Sequence, residues 1–484
     1  MPECEAFRSA SRALLVFSWP VTHRCLAVVA CSFMFRKEIT QGMDSDLNLS
    51  RSNHLDSNQR ISVLVFPCAS EIGLEIHRSL AFSRNIDLIG ASSACSNHGP
   101  YVYKNYVSGM PFVDSPDFFH EMERLVRNVH ADAVFPAHDS VVLALAEQWH
   151  NSSVKLITSP VETCRICRDK DLTYKTLQDV IRVPGRFHPR AAKIDFPVFL
   201  KPAVGQGSKN TLLVHNRAEM QQHLRIHPDC LVMEYLPGPE YTIDCFTDRH
   251  GALRFCGPRE RNRIANGISV DTAPVVDCEL TEMATQINNI LKFRGVWFFQ
   301  VKRDTAGDPA LLEVSPRVAG SMALYRSMGV NLPLLSLYDA LGSDVEILPL
   351  DGEARLDRAL INRFKLGITY KHVYIDFDDT IVINGKVNVS IAAFLYQCRN
   401  SGIGLHLLSR HKGDVFPLLD RFALRQLFDT VTIVAPTAKK APFITRHPAI
   451  FIDDSFAERR DVRLALGIPV FGVDAVESLL DWRL

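Results

Sequence analysis

Short apolar runs alternate with segments of helical spacing over residues 59–158. The run Ile-Ser-Val-Leu-Val-Phe at 61–66 is typical of a buried strand, and a loop at 67–73 separates it from an apolar-periodic helix. This strand–loop–helix alternation predicts a small doubly wound α/β domain around a parallel sheet. A complete Gly-x-Gly-x-x-Gly sequence is missing, so we do not expect a dinucleotide site. The predicted elements are strands at 61–66, 86–90 and 133–136, a helix that ends at Ser83 and a helix at 141–149.

Two changes of pattern divide the rest of the chain. Residues 159–350 mix strands with glycine-containing turns, and the polar stretch 350–357 then interrupts the periodicity. We therefore place a linker at 351–365. Strand–helix alternation returns from residue 373, which predicts a second, smaller α/β domain over 366–484. The predicted fold class is multidomain α/β with an α+β middle domain.

Length and composition fit several soluble domains. The chain has 484 residues, enough for about three domains, and its 47% apolar and 22% charged residues are ordinary for globular proteins. Lys and Arg total 54, as do Asp and Glu, so no net basic field exists to hold nucleic acid or an anionic membrane. The twelve scattered cysteines favour reduced thiols, and we expect a cytoplasmic protein.

The first 58 residues are expected to be poorly structured. Residues 13–35 are apolar, but Pro20, His23 and Arg24 interrupt them, so the stretch is too broken for a membrane anchor. Acidic residues near the start also argue against a signal peptide. A polar stretch begins at Met43, which we predict to be the true start of a cytosolic protein.

A lysine and a glycine loop lie close together in the middle domain. The extended run 196–202 contains Lys201, and Gly205-Gln206-Gly207-Ser208 follows it. Glycines let backbone N–H groups approach phosphate oxygens, and an ammonium group neutralises their charge. The combination predicts a site for nucleotide phosphates. Taken alone, Lys201 as a solvated strand end is an equally good interpretation.

Other polar residues follow in an order that favours a nucleotide site. Upstream, Lys170 opens a helix that carries Lys175, a second cation able to reach the phosphates. Downstream, the strand 231–236 ends in backbone groups that can hold a purine, with Glu234 accepting from its exocyclic amine.

The segment 297–317 predicts two strands joined by a turn, with oxygen-bearing side chains on one face. Alternation places Glu313, Ser315 and Arg317 on that face, and Gln300 lies on the paired strand. An oxygen-rich face suits Mg²⁺ that bridges phosphates. A salt bridge for Arg317 and a cross-strand hydrogen bond for Gln300 are the structural alternatives.

This ordered set resembles the ATP-grasp superfamily, and within it the carbamoyl-phosphate-synthetase-like branch of carboxylate ligases. The resemblance covers roughly residues 59–345 and makes the first region a pre-ATP-grasp domain. It implies that ATP activates a carboxylate through its γ-phosphate, with Mg²⁺ or alternatively Mn²⁺, before an amine attacks the acyl phosphate. Arg317 would stabilise that acyl phosphate, and the family usually has asparagine where Ser315 stands. The implied nucleotide contacts are Lys175 or Lys170, Lys201, Gly207, Ser208, Glu234, Leu236 and Glu240, and the implied metal ligands are Gln300, Glu313 and Ser315.

Two aspartates follow a predicted strand in the last domain. The strand 372–375 delivers Asp376 and Asp378 at its carboxyl end, with Thr380 just beyond. In a phosphoaspartate mechanism the first carboxylate attacks phosphorus, and the second protonates the leaving group and later activates water. On its own the motif is also compatible with a turn cap.

Later strand ends supply partners for these aspartates. Ser409 can bond a phosphate oxygen, Lys439 or Lys440 can neutralise charge, and Asp453 with Asp454 can complete a Mg²⁺ site. All of them lie just past predicted parallel strands, where open α/β sheets bind ligands. A helix N-cap is the structural alternative for the two later acids.

This second set resembles the haloacid dehalogenase (HAD) superfamily over residues 366–484. The resemblance implies a Rossmannoid phosphohydrolase in which Asp376, Asp378, Asp453 and Asp454 hold Mg²⁺. Only about 25 residues separate the first motif from the second strand, too few for a folded cap domain. We therefore predict a capless, open site.

Together the two resemblances predict a bifunctional enzyme, in which a carboxylate–amine ligase of the amino-acid type is tethered to a phosphatase. Its partners would be a small-molecule carboxylate, an amine and a phosphorylated metabolite, and a homodimer is left open. Arg261, Arg263 and the loop 265–269 are candidates for binding the carboxylate, unless they form only a solvated loop. The alternatives are a nucleotide-binding regulatory or scaffold protein with little turnover, and an ATP-grasp kinase or carboxylase.

Overall fold

The computed structural model describes residues 60–150 and 153–483, which fall into three successive regions with separate sheets. Within these two ranges no helix is long and apolar enough to cross a bilayer. The expectations for the first 58 residues, including the apolar stretch 13–35 and the start at Met43, lie outside the described residues.

A parallel sheet forms the first region. Its elements are β1 (Ile61–Phe66), α1 (Glu71–Leu80), β2 (Ile86–Ser92), β3 (Asn105–Ser108), α2 (Phe118–Asn128), β4 (Ala133–Pro136), α3 (Asp139–Gln148) and β5 (Lys155–Leu156). The strands run in the order β3-β2-β1-β4-β5. Val63 and Val65 pack into the core on one face of β1, and Leu64 and Phe66 pack on the other. Burial on both faces explains why β1 is apolar except at Ser62.

Both predicted helices of this region begin earlier than their apolar spacing indicated. Helix α1 starts at Glu71 because the Ser70 hydroxyl accepts a hydrogen bond from Gly73 N at 3.0 Å. Helix α3 starts at Asp139, where the His138 ring accepts from Ser140 N at 3.3 Å. Polar caps carry no hydrophobic periodicity, so the apolar pattern alone misses these first turns.

Two antiparallel sheets form the middle region. Its elements are α4 (Val161–Arg168), α5 (Lys170–Leu177), β6 (Arg186–Phe187), β7 (Val198–Pro202), β8 (Leu212–Val214), α6 (Arg217–Ile226), β9 (Cys230–Glu234), β10 (Glu240–Thr247), β11 (Leu253–Ala265), β12 (Ile268–Pro274), α7 (Cys278–Ile290), β13 (Gly295–Arg303), β14 (Pro309–Ser315), α8 (Ala323–Ser327), α9 (Leu332–Ala340) and β15 (Leu356–Asp357). The smaller sheet has the order β6-β9-β7-β8, and the larger has β14-β13-β10-β11-β12-β15. Side chains from both sheets line one cleft.

The predicted linker is partly a strand of the larger sheet. Strand β15 pairs antiparallel with β12, with Asp357 opposite Asp271. Beside it, Arg355 donates to the two Asp271 oxygens from Nε at 3.0 Å and from Nη2 at 2.6 Å. These contacts dock the segment on the middle region. A strand of two residues is too short to show the apolar–polar alternation from which a strand is predicted.

The last region has a second parallel sheet. Its elements are β16 (His372–Ile375), β17 (Val382–Ile383), β18 (Lys386–Val387), α10 (Val389–Asn400), β19 (Gly404–Ser409), α11 (Phe416–Arg421), β20 (Thr430–Ile433), β21 (Ala449–Ile452), α12 (Phe456–Leu466) and β22 (Val470–Phe471). The strand order is β20-β19-β16-β21-β22. Between Thr380 and β19 the described chain forms only the β17–β18 hairpin, α10 and their connections. Short 3₁₀ helices lie at Gly99–Tyr101, Arg425–Leu427, Ala441–Phe443 and Val473–Leu479.

Candidate active sites

The larger candidate site is the cleft between the two antiparallel sheets. The smaller sheet contributes β7 and the end of β9, and the larger sheet contributes β11, β13 and β14. Predicted site residues that line the cleft are Lys170, Lys201, Gly207, Ser208, Glu234, Leu236, Glu240, Arg261, Gln300 and Glu313. The fold therefore brings together residues separated by more than a hundred positions.

Two lysines converge on one carboxylate in this cleft. Lys201 Nζ lies 3.3 Å from Glu313 Oε2, and Lys170 Nζ lies 4.0 Å from the same oxygen. Lys170 also donates to Gly205 O at 3.0 Å, which ties it to the glycine loop. Burial and the nearby Lys201 charge lower the pKa of Lys170 from 10.5 to about 8. The two cations exceed the single carboxylate between them, so the cleft attracts anions.

Lys175 lies outside this group, contrary to the expectation that it reaches the phosphates. Its ammonium pairs with Asp171 at 2.6 Å, and its side chain is 59% exposed. Five residues along an α-helix correspond to a rotation of roughly 140°, so Lys170 and Lys175 point in different directions from α5. Lys170 is the helix lysine that the cleft contains.

The glycine loop has an unusual backbone. Gly207 and Ser208 have φ angles of 63° and 55°, the left-handed region that glycine adopts most easily. Gln206 of this loop contacts the His138 ring from the first region. On another side, a Cβ placed on Gly267 would lie 2.7 Å from the Gly207 carbonyl carbon. Neighbouring elements therefore hold the loop from two sides.

Glu234 lies at the end of β9 and lines the cleft. Arg182 Nη2 donates to Glu234 Oε1 at 2.7 Å, and Gly185 N donates to Oε2 at 2.9 Å. A carboxylate oxygen can accept more than one hydrogen bond, so these two donors leave Glu234 able to accept from an exocyclic amine. Leu236 is buried beside it. Glu240 pairs with Arg261 at 3.0 Å.

The predicted oxygen-rich face divides into two groups. Gln300 lies opposite Glu313 across β13 and β14, and both line the cleft. Ser315 and Arg317 are not among the residues that line it. The Ser315 hydroxyl donates to Asp139 Oδ1 at 2.7 Å, and Arg317 Nη2 donates to Oδ2 at 2.6 Å. Ser315 and Arg317 therefore bind Asp139, at the start of α3, and do not line the cleft.

Electrostatics keep these carboxylates ionised. Burial alone would raise the pKa of Glu313, but Lys201 and Lys170 lower it. Burial likewise opposes ionisation of Asp139, and Arg317 brings the pKa of Asp139 well below its usual value. Gln300 and Glu313 thus offer amide and carboxylate oxygens, the donor types that Mg²⁺ prefers.

The two candidate substrate arginines are both paired with acids. Arg261 lines the cleft, where Glu240 holds it. Arg263 is exposed and pairs with Asp357 at 2.7 Å. Both guanidinium groups therefore have an acidic partner, but Arg261 Nε forms no hydrogen bond to any described residue.

A second site lies at the carboxyl ends of β16, β19 and β21. Lys440 Nζ lies 2.9 Å from Asp376 Oδ1 and 2.6 Å from Asp453 Oδ2, and its side chain is 2% exposed. Lys439 points elsewhere, at 73% exposure and 3.6 Å from Asp461. Of the two candidate lysines, Lys440 is therefore the one in the site.

A cation could be held next to Lys440. The carboxylates of Asp376, Asp453 and Asp454 offer oxygens that all lie within 4.8 Å of one another. Burial, reinforced by Asp376, raises the pKa of Asp453 to about 6 despite Lys440. Burial also raises the pKa of Asp376, against the effect of Lys440. This all-oxygen set has the chemistry that suits Mg²⁺.

Asp378 lies outside that carboxylate group, contrary to the prediction that it shares the metal. Its oxygens lie 2.9 and 3.0 Å from His411 Nδ1, and the side chain is 53% exposed. Ser409, two residues before His411, is fully buried and hydrogen-bonds Asp376. The site thus combines the buried side chains of Asp376, Asp453 and Lys440 with the more exposed Asp378, which contacts His411.

Two residues that contact predicted site residues were not identified from the sequence. Asp139 follows a parallel strand, and His411 follows Ser409 at the end of another. Position at a carboxyl strand end was the available signal for both. Their partners, Arg317 and Asp378, lie 178 and 33 residues away, and no local pattern pairs them.

Comparisons with known proteins bear on the middle region. Residues 226–358 match the family model described as "ATP-grasp in the biosynthetic pathway with Ter operon". The uncharacterized protein y4rH of Sinorhizobium fredii is 26% identical over 144 residues, 27% of this chain. That match covers 30% of y4rH, so it spans less than a third of the relative.

Solved structures share the fold at low identity. Biotin carboxylase of Campylobacter jejuni, crystallised with β-γ-ATP, has a TM-score of 0.51, 18% identity, and coverage of 61% of this chain and 74% of that one. The biotin carboxylase domain of Hydrogenobacter thermophilus 2-oxoglutarate carboxylase, with MgADP and bicarbonate, has a TM-score of 0.53 and 16% identity. The match covers 61% of this chain and 73% of that one. N5-carboxyaminoimidazole synthetase of Staphylococcus aureus, with ADP, has a TM-score of 0.51 and 14% identity. The match covers 63% of this chain and 83% of that one.

Residues 226–358 are thus similar to an ATP-grasp family model, and about three fifths of the chain shares the fold of these nucleotide-bound structures. The matched model runs from the end of α6 to Arg358, which includes β9 to β15.

Proposed function

We propose that this protein is an ATP- and Mg²⁺-dependent carboxylate–amine ligase of the carbamoyl-phosphate-synthetase-like branch, which acts on amino-acid-type substrates. The observation that carries the proposal is the convergence of Lys170 and Lys201 on Glu313 beside the glycine loop. Two cations, backbone N–H groups and an ionised carboxylate form a set that fits a nucleotide triphosphate with its metal.

Each group has a distinct task in this proposal. Lys170 and Lys201 neutralise the phosphates, the Gly207–Ser208 backbone donates to them, and the end of β9 holds the purine. Gln300 and Glu313 hold Mg²⁺, which supplies charge neutralisation during phosphoryl transfer. A carboxylate oxygen attacks the γ-phosphorus and ADP leaves. An amine then attacks the acyl carbon, releasing phosphate and a proton.

ADP release tests the ligase. Purified protein with MgATP is offered a panel of amino acids and carboxylates, with and without amines. We expect release that needs both an acid and an amine, and Lys201→Gln should lower it at least 100-fold because phosphate charge is left uncompensated. Lys175→Gln is the matched control and should retain activity. Release that depends on bicarbonate alone would favour a carboxylase, and release without amide product would favour a kinase.

We further propose that the last region is a capless, Mg²⁺-dependent phosphohydrolase of the HAD type. The Asp376–Lys440–Asp453 cluster supports this second function. Asp376 attacks phosphorus, Asp378 protonates the leaving oxygen and then activates water, and Lys440 with Ser409 stabilises the phosphoryl oxygens. Asp376, Asp453 and Asp454 hold the metal.

Hydrolysis of p-nitrophenyl phosphate with Mg²⁺ tests this activity. Asp376→Asn should abolish it, since the nucleophile is lost, and Lys439→Gln should leave it within about twofold because Lys439 points to solvent. Hydrolysis that survives Asp376→Asn would refute the assigned nucleophile. A wild type inactive in both assays would instead favour a nucleotide-binding regulatory protein.

A further inference from the structure

The loop after β19 contacts both aspartates that follow β16. The Ser409 hydroxyl hydrogen-bonds the Asp376 carboxylate, and the His411 ring contacts the Asp378 carboxylate. The two contacting residues are two positions apart in the sequence, as are the two aspartates. Because β16 and β19 are neighbouring parallel strands, both contacts lie at the same carboxyl edge of the sheet. This loop thus provides one polar contact for the proposed nucleophile and one for the proposed acid–base group.

The imidazole of His411 has a defined position on this loop. Its backbone N–H donates to the Ser409 hydroxyl at 3.2 Å. The ring packs edge-on against the ring of buried Phe377, with 5.5 Å between the centroids, and the side chain is 14% exposed. Phe377 lies between the two aspartates in the sequence, and His411 lines the same cavity as they do. Backbone and packing contacts therefore fix the point from which the ring can donate.

Asp378 has a fixed backbone but an exposed side chain. A β-bridge to Val382 and the left-handed turn at Asp379, with a φ of 54°, fix the backbone, whereas the side chain is 53% exposed. An exposed carboxylate can adopt several rotamers. The two Asp378 oxygens lie 3.0 and 2.9 Å from His411 Nδ1. An ionised carboxylate only accepts hydrogen bonds, so Nδ1 carries the hydrogen and donates it.

We infer that His411 is a positioning residue, which holds the Asp378 carboxyl group where it can give its proton to the leaving oxygen. The inference rests on the proposed phosphohydrolase function and deepens it. An Asp376 oxygen forms a bond to phosphorus while the bond from phosphorus to the leaving oxygen breaks, and that oxygen takes the proton of Asp378. Water then attacks phosphorus, returns a proton to Asp378 and releases inorganic phosphate and free Asp376. In this scheme His411 acts only through Asp378.

Two features distinguish this contact from an ordinary surface ion pair. Exposed pairs join two solvated side chains and change little in a protein when they are broken. Here the donor ring is largely buried, and the acceptor is an aspartate to which the proposed mechanism assigns a proton transfer. Loss of the contact should therefore affect catalysis more than folding.

Two esters with different leaving groups test the role of His411. p-Nitrophenolate leaves readily as an anion, whereas phenolate is a poorer leaving group and depends more on protonation. His411→Phe keeps an aromatic ring against Phe377 and removes the donor. With Mg²⁺ present, we expect kcat/KM of His411→Phe to fall about tenfold or more for phenyl phosphate and to stay within about threefold for p-nitrophenyl phosphate.

Rescue and coupling provide two further measurements. His411→Asn carries a side-chain amide N–H that can donate to Asp378, so it should recover most of the loss with phenyl phosphate. Asp378→Asn should show the same difference between the two esters. Adding His411→Phe to Asp378→Asn should then change kcat/KM by less than about twofold, because both substitutions remove the same proton transfer.

Glu458→Gln is the structural control. Glu458 lines the same cavity, and its Oε1 lies 2.8 Å from Nη2 of Arg410, the residue before His411. Its replacement loosens the loop from α12 and leaves the His411–Asp378 contact in place. Any change in kcat/KM should therefore be equal for the two esters. Melting curves should show that all variants fold.

The outcomes separate the role of His411 from the proposed activity. No loss in His411→Phe, an equal loss for the two esters, or a loss that His411→Asn does not recover would overturn the positioning role and leave the phosphohydrolase intact. Additive effects of His411→Phe and Asp378→Asn would do the same. A wild type that hydrolyses neither ester would overturn the phosphohydrolase function, and the role of His411 with it.

Discussion

Arg317 holds the carboxylate of Asp139 through two hydrogen bonds, 2.7 Å from Nε and 2.6 Å from Nη2. Asp139 begins α3 in the first region, and Arg317 follows β14 in the middle region. Both side chains are largely buried, at 17% and 12% exposure. The pair therefore joins the first region to the middle region just after β14, the strand that carries Glu313.

Neutralising Asp139 should destabilise the protein strongly. Asp139→Asn leaves the buried Arg317 guanidinium without a compensating charge, which costs about 3–5 kcal/mol of unfolding free energy. Urea denaturation measures the loss. The control is Glu147→Gln, which removes the exposed partner of Arg165 and should cost less than about 1 kcal/mol. Equal losses in the two variants would contradict the assigned role of the Asp139–Arg317 pair.

Nucleotide affinity should depend on pH through Lys170. Its pKa is about 8 in the folded protein, so its charge is present below pH 8 and lost above it. We expect ADP affinity, measured by calorimetry in EDTA, to fall as pH rises from 7 to 9. Lys170→Gln should bind more weakly throughout and lose the pH dependence, whereas Lys170→Arg should keep the charge and stay flat. A wild-type profile unchanged across this range would contradict the prediction.

Lys170 should also make the unfolding free energy depend on pH, but with a trend opposite to that of ADP affinity. Between about pH 8 and 10.5 the unfolded chain binds a proton at Lys170 that the folded chain does not. The contribution of Lys170 to unfolding free energy should therefore rise with pH in this window. Comparing wild type with Lys170→Gln by urea denaturation at pH 8 and pH 10 isolates it.

Removing Lys440 should make the last region more dependent on Mg²⁺. Lys440→Gln leaves the buried Asp376 and Asp453 carboxylates facing each other without a cation, so the melting temperature without metal should fall. Added Mg²⁺ should raise the melting temperature more in Lys440→Gln than in wild type. Lys439→Gln should behave like wild type. Identical Mg²⁺-induced shifts in all three proteins would argue against a cation site at these carboxylates.

Replacing Gly267 should weaken nucleotide binding as well as destabilise the turn that contains it. Gly267→Ala places a left-handed alanine, φ 76°, against the Gly207 backbone at 2.7 Å. We expect ADP affinity to fall about tenfold or more as the glycine loop shifts. Gly307→Ala is the control, since Gly307 has a φ of 93° in another hairpin turn with nothing within 4 Å. Both variants should lose about 1 kcal/mol of stability, but only Gly267→Ala should lose ADP affinity.

Strands and the polar residues at their ends could be predicted from sequence. Buried parallel strands are largely apolar, so β1, β16 and β21 are recognisable in the sequence. The residue after each strand lies at the carboxyl edge of the sheet. Asp376 and Asp453 follow Ile375 and Ile452, which lie opposite each other in register. The chemistry at this edge was therefore visible before the fold was known.

The choice between neighbouring candidates could not be predicted in the same way. Lys170 and Lys175 share one helix, and Lys439 and Lys440 are adjacent, yet only one of each pair points into a site. Side-chain direction depends on how the element rotates against its neighbours. That rotation is set by tertiary packing. In such short segments the spacing of apolar residues does not reveal it.

The docking of β15 also limits how the gene could be divided. The hydrophobic pattern breaks near residue 350, an inviting point for cutting the chain into two separately expressed proteins. A first piece ending there would lack the strand that covers the edge of β12, and Arg263 and Asp271 would lose their partners Asp357 and Arg355. A natural gene fission that kept the larger sheet complete would have to leave residues through Arg358 with the upstream product.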